Sequence, residues 1–424
     1  TKNGYTLTDD ETQADVIVIN TCCFIHDAKE ESINTILEMA QYKEQNLKAL
    51  VVAGCLAERY KDEILKEIPE IDAVLGTTSY DSIVEAVNTA LEENTGEHFE
   101  HYESIDYLPD NSEVERVVTT GNHMAYLKIA EGCDKRCSYC IIPKIRGHFR
   151  SVPMEELLNE AKRLASEGVK ELVLVAQETT LYGKDLTGEK QLPLLLHELC
   201  KIEGIEWIRL LYCYPEEITD ELIKVIKTEE KVCNYIDMPI QHSENRILQR
   251  MGRRTSREDL VAVIKKLRQE IPDITIRTTL ITGFPGESEE DHEGLMNFVE
   301  ECQFDRLGVF TYSPEEDTLA ATFEDQIDEE VKEERRDELM SLQQEISYEH
   351  TQQLVGKTIK VMVEGYLFED DIYVGRSYMD APKVDGCVFI NSPEELMTGD
   401  FVYVKITQGR EYDVIGEVDY EFTK

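Results

Sequence analysis

Cys133, Cys137 and Cys140 stand together in the word EGCDKRCSYC, residues 131–140, at the spacing C-x3-C-x2-C. Three thiolates on one short loop can hold three irons of a [4Fe–4S] cluster and leave the fourth iron open to another ligand. A structural zinc site asks for a fourth ligand close by, and the next cysteine after Cys140 is Cys200. A second, looser set lies near the start of the chain. Cys22 follows the run VIVINT and Cys55 follows ALVVAG, so each thiol comes at the end of a strand-like segment. Parallel sheets present their ligands at that end. Alone, either cysteine reads first as a small buried hydrophobe, and it is the pair together with the triplet that favours ligation. Cys23 is the neighbour of Cys22, and alternation along an extended chain turns its side chain the other way. With eleven cysteines, an odd count at uneven spacing, a disulfide scaffold is disfavoured.

These residues need elements to hold them. Over 1–97, short apolar runs alternate with amphipathic patterns. Val16–Ile19 precedes Ala28–Tyr42, Ala49–Ala53 precedes Ala57–Ile68, and Ala73–Leu75 precedes Ser82–Leu91. Such alternation predicts a small parallel α/β domain. Residues 98–118 are polar and weakly patterned and read as a linker. From 119 to 350 the alternation has a longer beat, with strands expected at 124–132, 170–177, 205–214, 232–240, 274–282 and 306–312. Six βα units fall short of the eight of a closed barrel, which predicts a partial (βα)6 barrel with the cysteine triplet at the end of its first strand. Ser256 with Asp259 and Ser288 with Asp291 read as helix N-caps. Residues 351–424 carry five short strands with turn residues between them, the pattern of a five-stranded antiparallel β-barrel.

Charge narrows the partners. The 424 residues hold 44 basic and 87 acidic side chains, a net charge of −43. Gripping nucleic acid through its phosphates needs the opposite sign. Either the surface is simply acidic and soluble, or it steers in a positively charged protein partner. The terminal 356–424 alone carries 7 basic and 14 acidic residues, a net of −7. No apolar run is long enough to span a membrane and no signal peptide shows, so a cytoplasmic protein without membrane attachment is expected, and the strongly charged surface points to a monomer.

Five words in order, NTC (20–22), AGC (53–55), EGCDKRCSYCIIPKIRGHFRS (131–151), LLYCYP (210–215) and TGFPGE (282–287), make the chain similar to the radical S-adenosylmethionine (AdoMet) methylthiotransferases. The resemblance covers essentially the whole chain, and its terminal barrel looks like their TRAM domain. It implies two [4Fe–4S] clusters. One sits on Cys133, Cys137 and Cys140, where its open iron takes AdoMet for cleavage to a 5′-deoxyadenosyl radical. The other takes Cys22 and Cys55 plus a third cysteine that in the family lies upstream of the position matching Thr1. CFIHDAKEES after NTC and IRGHFRS after the triplet resemble the branch that methylthiolates the β-carbon of an aspartate in small-subunit ribosomal protein twelve. That branch implies two AdoMet per turnover, a basic ribosomal protein as partner, an electron donor such as flavodoxin, and no direct RNA binding. Two other readings stay open: the branch that modifies adenosine in tRNA, and an iron–sulfur electron-transfer or scaffold protein.

Further candidates follow from position. Tyr139 lies inside the triplet loop and either sits near the adenine or is an exposed loop aromatic. Gln177 and Glu178 end the second barrel strand and are candidates for the AdoMet amino group or the substrate. Thr282, Gly283 and Gly286 follow the fifth strand, where glycine either lets backbone approach a ligand or simply makes a turn. Tyr212 and Tyr214 either line the pocket or pack. Arg146 and Arg150 either touch a carboxylate or stay solvated, and His148 and His242 read as satisfied structural histidines.

Overall fold

Strand β2 (Ala49–Gly54), ALVVAG, is buried along its whole length, as the β-branched centre of a sheet covered on both faces must be. It pairs in parallel with β1 (Val16–Thr21) on one side and β3 (Ala73–Leu75) on the other, and β4 (Phe99–His101) closes the far edge. The computed structural model describes residues 2–92, 98–109 and 116–421. Thr1, residues 93–97 of the expected first domain and residues 110–115 of the expected linker lie outside the described residues. Within that linker, β4 is a strand, because Phe99 packs on the Val51, Ala73 and Leu75 cluster despite its polar neighbours.

The chain forms two units. The first takes the described N-terminal residues through Pro109, together with 131–150 and 313–322. Its main core joins Ile19, Val52, Val74, Cys23, Cys55 and Leu56 with Ile141 and Ile145, which follow the cysteine triplet in sequence. Helices His26–Ala40, Cys55–Arg59, Ile64–Glu67 and Ile83–Leu91 belong here.

The second unit holds the partial barrel and the small barrel. Strands β5 (Met124–Lys128), β8 (Glu171–Val175), β9 (Trp207–Leu210), β10 (Val232–Asp237), β11 (Thr275–Thr282) and β12 (Arg306–Thr311) form one all-parallel sheet in that order. The two-residue strands β6 (Ala130–Glu131) and β7 (Arg150–Ser151) pair separately. Both expected N-caps form reciprocal boxes, Ser256 with Asp259 and Ser288 with Asp291. The small barrel closes through β13 (Thr358–Leu367), β14 (Ile372–Ser377), β15 (Val388–Asn391), β17 (Val414–Val418) and β16 (Phe401–Gly409). Four of its five pairings are antiparallel, while β15 and β17 run parallel because β17 doubles back along β16. Buried ion pairs tie this barrel to the sheet. Glu171 sits between Arg209 and Arg376, Arg306 holds Asp380, and Arg277 and Tyr235 hold Asp385.

Candidate iron–sulfur site

The triplet loop is shaped by backbone that only certain residues tolerate. Gly132 has φ +79°, and a Cβ there would lie 2.1 Å from the His148 carbonyl oxygen and 2.6 Å from that of Gly147. Two strands of backbone therefore cross at van der Waals contact just before Cys133, whose N–H donates to Gly147 O at 3.2 Å. Arg136 takes a left-handed φ of 54°, and the Cys140 N–H closes a turn on Cys137 O at 3.1 Å. The short helix Ile142–Arg146, with Pro143 in its first turn, then leads away.

All three thiols are free of disulfides; Cys133 and Cys137 are buried and Cys140 is half-buried. No three His, Cys, Asp or Glu side chains among the described residues converge as the ligands of a single ion would. A cubane takes each thiolate on a different iron, so its ligands stand wider apart than those of zinc. Three thiols outside any disulfide, on one short and largely buried loop, are the donor set a [4Fe–4S] cluster takes.

The second pair is brought together by strand register. Thr21 and Gly54 are direct partners across β1 and β2, so Cys22 and Cys55 each follow a paired residue. Gly54, at φ +97°, allows this closeness, since a Cβ would lie 2.6 Å from Asn20 Oδ1 and 2.7 Å from Thr21 O. Thr21 Oγ1 donates to Ala53 O at 2.7 Å and accepts from Leu56 N–H at 3.2 Å, fixing the exit of both strands. Cys22 is exposed, with Ser32 bonded to its N–H and carbonyl. Cys23 is wholly buried in the core, where burial foremost, and then Cys55 beside it, push its thiol up to about 12. Burial also raises the Cys55 thiol, against the pull of Arg146, whose Nη2 donates to Cys55 Sγ at 3.1 Å. Arg146 Nη1 lies 3.5 Å from buried Glu131. Arg146 is half-buried, with Cys55 and Glu131 as its partners.

In the second unit the strand ends are also specialised. Glu178 is fully buried and caps its own turn by accepting from Thr180 N–H at 2.9 Å, while Gln177 is half-buried beside it. Tyr212 has φ 58° and is 49% exposed, an arrangement that presents an aromatic ring rather than packing it. Tyr214 instead carries the Arg253 guanidinium 4.5 Å from its ring centre. Thr282 is buried, with Oγ1 3.5 Å from Glu287. Gly283 and Gly286 have φ +68° and +80°, and their absent Cβ atoms would strike Lys332 and Asp325. Their close neighbours are thus side chains of the same unit. Tyr139 is half-buried in the triplet loop. Arg150 donates to the carbonyls of Arg146 and His148, exposed His148 pairs with Asp134 at 2.7 Å, and buried His242 accepts from Glu244 N–H at 3.0 Å.

Three features carried no sequence signal. Gln241 turns left-handed (φ 71°) after β10, its peptide bridging Thr279 O and Ile281 N–H. Glu131 is buried against Arg146. Arg59 reaches segment 313–322.

Residues 127–299 match the Radical SAM superfamily, 1–76 the Uncharacterized protein family UPF0004, and 355–418 the TRAM domain. A protein of Lachnoclostridium phytofermentans named Ribosomal protein uS12 methylthiotransferase RimO is 61% identical over 417 residues, 98% of this chain and 94% of that protein. One of the same name from Desulfitobacterium hafniense is 52% identical over 415 residues, 98% of this chain and 92% of that one. The chain belongs to the RimO family of radical AdoMet methylthiotransferases. Membership brings a [4Fe–4S] cluster and AdoMet with it. Among solved structures, the radical S-adenosylmethionine methyltransferase TsrM from Kitasatospora setae, with cobalamin and [4Fe-4S] cluster bound, has a TM-score of 0.54 at 14% identity, covering 81% of this chain and 67% of that one. At that identity the likeness is one of fold. No helix among the described residues is long and apolar enough to cross a membrane.

Proposed function

We propose that this chain replaces a hydrogen on the β-carbon of an aspartate in ribosomal protein uS12 with a methylthio group, using two AdoMet and two [4Fe–4S] clusters. The observation that carries the reading is the shared core of the first unit: Ile141 and Ile145, behind the triplet, pack with Cys23, Cys55 and Leu56. One body thus presents both cysteine sets, as a transfer of sulfur to a carbon radical requires.

Cys133, Cys137 and Cys140 hold one cluster, and Cys22 and Cys55 supply two thiolates to the other. With cluster and AdoMet bound there, the site would supply one-electron cleavage of AdoMet and so the means to take hydrogen from a carbon that no side-chain base can deprotonate. The protein's part is placement. Gly132 and Arg136 set the directions of the triplet thiols, and Thr21 and Gly54 those of the pair. Tyr139, Gln177, Glu178 and Thr282, with the backbone of Gly283 and Gly286, serve AdoMet and substrate. A net charge of −43, with −7 on 356–424, complements a basic ribosomal protein and opposes RNA. A flavodoxin-class donor supplies the electron, and the enzyme acts as a cytoplasmic monomer.

The test is partition of label. Enzyme supplied with methyl-labelled AdoMet, sulfide, reductant, uS12 and tRNA is expected to place label in the uS12 fraction. Label in tRNA would overturn the substrate assignment, and release of only labelled methionine would overturn methylthio transfer.

A further inference from the structure

Two arginines of the first unit, Arg146 half-buried and Arg59 with its side chain almost wholly buried, end on the cysteine sites. Arg146 closes the helix after the triplet. Its Nη2 donates to Cys55 Sγ at 3.1 Å and its Nη1 lies 3.5 Å from Glu131, two residues before Cys133. Arg59 closes the helix that Cys55 opens, and its side chain is only 5% exposed. Its Nη1 donates to Cys23 O and to Glu315 Oε2, each at 3.0 Å, and its Nη2 donates to Glu316 O at 2.9 Å. Tyr60 adds a bond from its hydroxyl to Glu316 Oε2 at 2.9 Å. Segment 313–322, gripped in this way, in turn gives the Ala320 N–H to Ser138 O, inside the triplet, at 2.8 Å.

Two paths therefore join the pair to the triplet. One runs Cys55–Arg146–Glu131–Cys133. The other runs Cys23–Arg59–Glu315 and Glu316–Ala320–Ser138. Burying a guanidinium is costly unless its partners are well placed, and here the partners are the backbone and side chains around both cysteine sets. A planar guanidinium with several donors can hold two separate elements at fixed spacing where a lysine holds one.

We propose that Arg59 and Arg146 are positioning residues that hold the Cys22–Cys55 site and the Cys133–Cys140 loop as one rigid body. Sulfur carried at the first site then meets the carbon activated through the second at a set spacing. This rests on the function proposed above, and it adds that the spacing is imposed by two arginine bridges rather than by the clusters.

The experiment uses the full chain with clusters reconstituted, as wild type, Arg59→Gln, Arg146→Gln, the double variant and Arg146→Lys. Iron content, 5′-deoxyadenosine formed, methylthiolated product and amide hydrogen exchange are measured together. Each single Gln variant is expected to keep its iron and to go on cleaving AdoMet, while product per 5′-deoxyadenosine falls about tenfold, and about 10²-fold in the double variant, as for a reacting pair displaced by ~1 Å. Arg146→Lys recovers part of the loss, because an ammonium reaches Cys55 or Glu131 and not both. In the double variant, amide exchange rises over 133–140 and 313–322. An unchanged ratio in the double variant overturns the proposal, as does loss of iron in Arg146→Gln that Arg146→Lys does not restore. If wild type makes no methylthiolated product, the reaction assigned above fails instead. The exchange data then decide the bridges: faster exchange in the double variant upholds them and unchanged exchange overturns them.

Discussion

Replacing Gly132 with alanine tests how tightly the triplet loop is built. The new Cβ would stand 2.1 Å from His148 O and 2.6 Å from Gly147 O, both backbone atoms with no flexible end to swing aside. Ordinary carbon contacts lie near 3.5–4.0 Å, so the crossing strands must part by about 1 Å or more. The left-handed backbone at φ +79° adds roughly 1–2 kcal/mol for a residue with a Cβ, and overpacking adds about 1–3 kcal/mol. Moving Gly147 also breaks the bond from Cys133 N–H, so the displacement reaches the first ligand directly. Iron binding should therefore fail before folding does. The assay is iron per chain after anaerobic reconstitution, read beside the thermal midpoint of the apoprotein. We expect Gly132→Ala to lose the triplet's share of iron and nearly all AdoMet cleavage while the second unit melts as in wild type. Full iron with normal cleavage would refute the argument that this crossing sets the ligand geometry.

Other outcomes follow from the same structure. Cys133→Ala should halve the iron of a protein holding two clusters, about eight irons, measured by ferrozine; unchanged iron would remove the triplet from the ligand set. Cys23→Ala should keep all iron and lose about 1 kcal/mol of stability, since its sulfur fills core rather than binding metal, whereas Cys22→Ala should lose iron at little cost in stability. Glu171→Ala strands the buried guanidiniums of Arg209 and Arg376, and breaking such a pair costs about 3–5 kcal/mol, a drop of roughly 6–20 °C in midpoint by calorimetry. The pH dependence of that site has a definite sign. Burial pushes the Glu171 carboxyl up, but Arg209 and Arg376 outweigh it and hold the group below its usual value of 4.5. Its stabilisation is thus complete above that value and is lost as pH falls through the depressed value, and Glu171→Gln should flatten the acid limb of a stability–pH curve.

Much of this fold was legible because its periodicities are strong. The six parallel strands, the small barrel and both capping boxes were marked by apolar runs, turn residues and serine–aspartate spacing. The segment around Phe99 was not, since a three-residue edge strand buries one aromatic ring and leaves charged neighbours in the sequence on either side. The triplet was plain from spacing alone. The Cys22–Cys23 doublet resolved by alternation, with Cys22 exposed and Cys23 in the core. What no local word could disclose were partners far apart in sequence. Arg146 sits 91 residues from Cys55, and Arg59 sits 256 from Glu315. Likewise the glycines of TGFPGE carry their meaning in Lys332, on the helix Glu329–Leu354, and in Asp325 in the segment before it.

Hydrogen abstraction from an aspartyl β-carbon would leave its mark in isotope transfer. Reconstituted enzyme is given AdoMet, sulfide, reductant and uS12 deuterated at the aspartyl β-carbon, and both products are analysed by mass spectrometry. Deuterium is expected in 5′-deoxyadenosine, matched by a uS12 peptide in which a methylthio group replaces one deuterium on aspartate. Methylthiolated peptide with no deuterium in 5′-deoxyadenosine would contradict it, as would deuterium-free 5′-deoxyadenosine accompanied by methylthiolated tRNA.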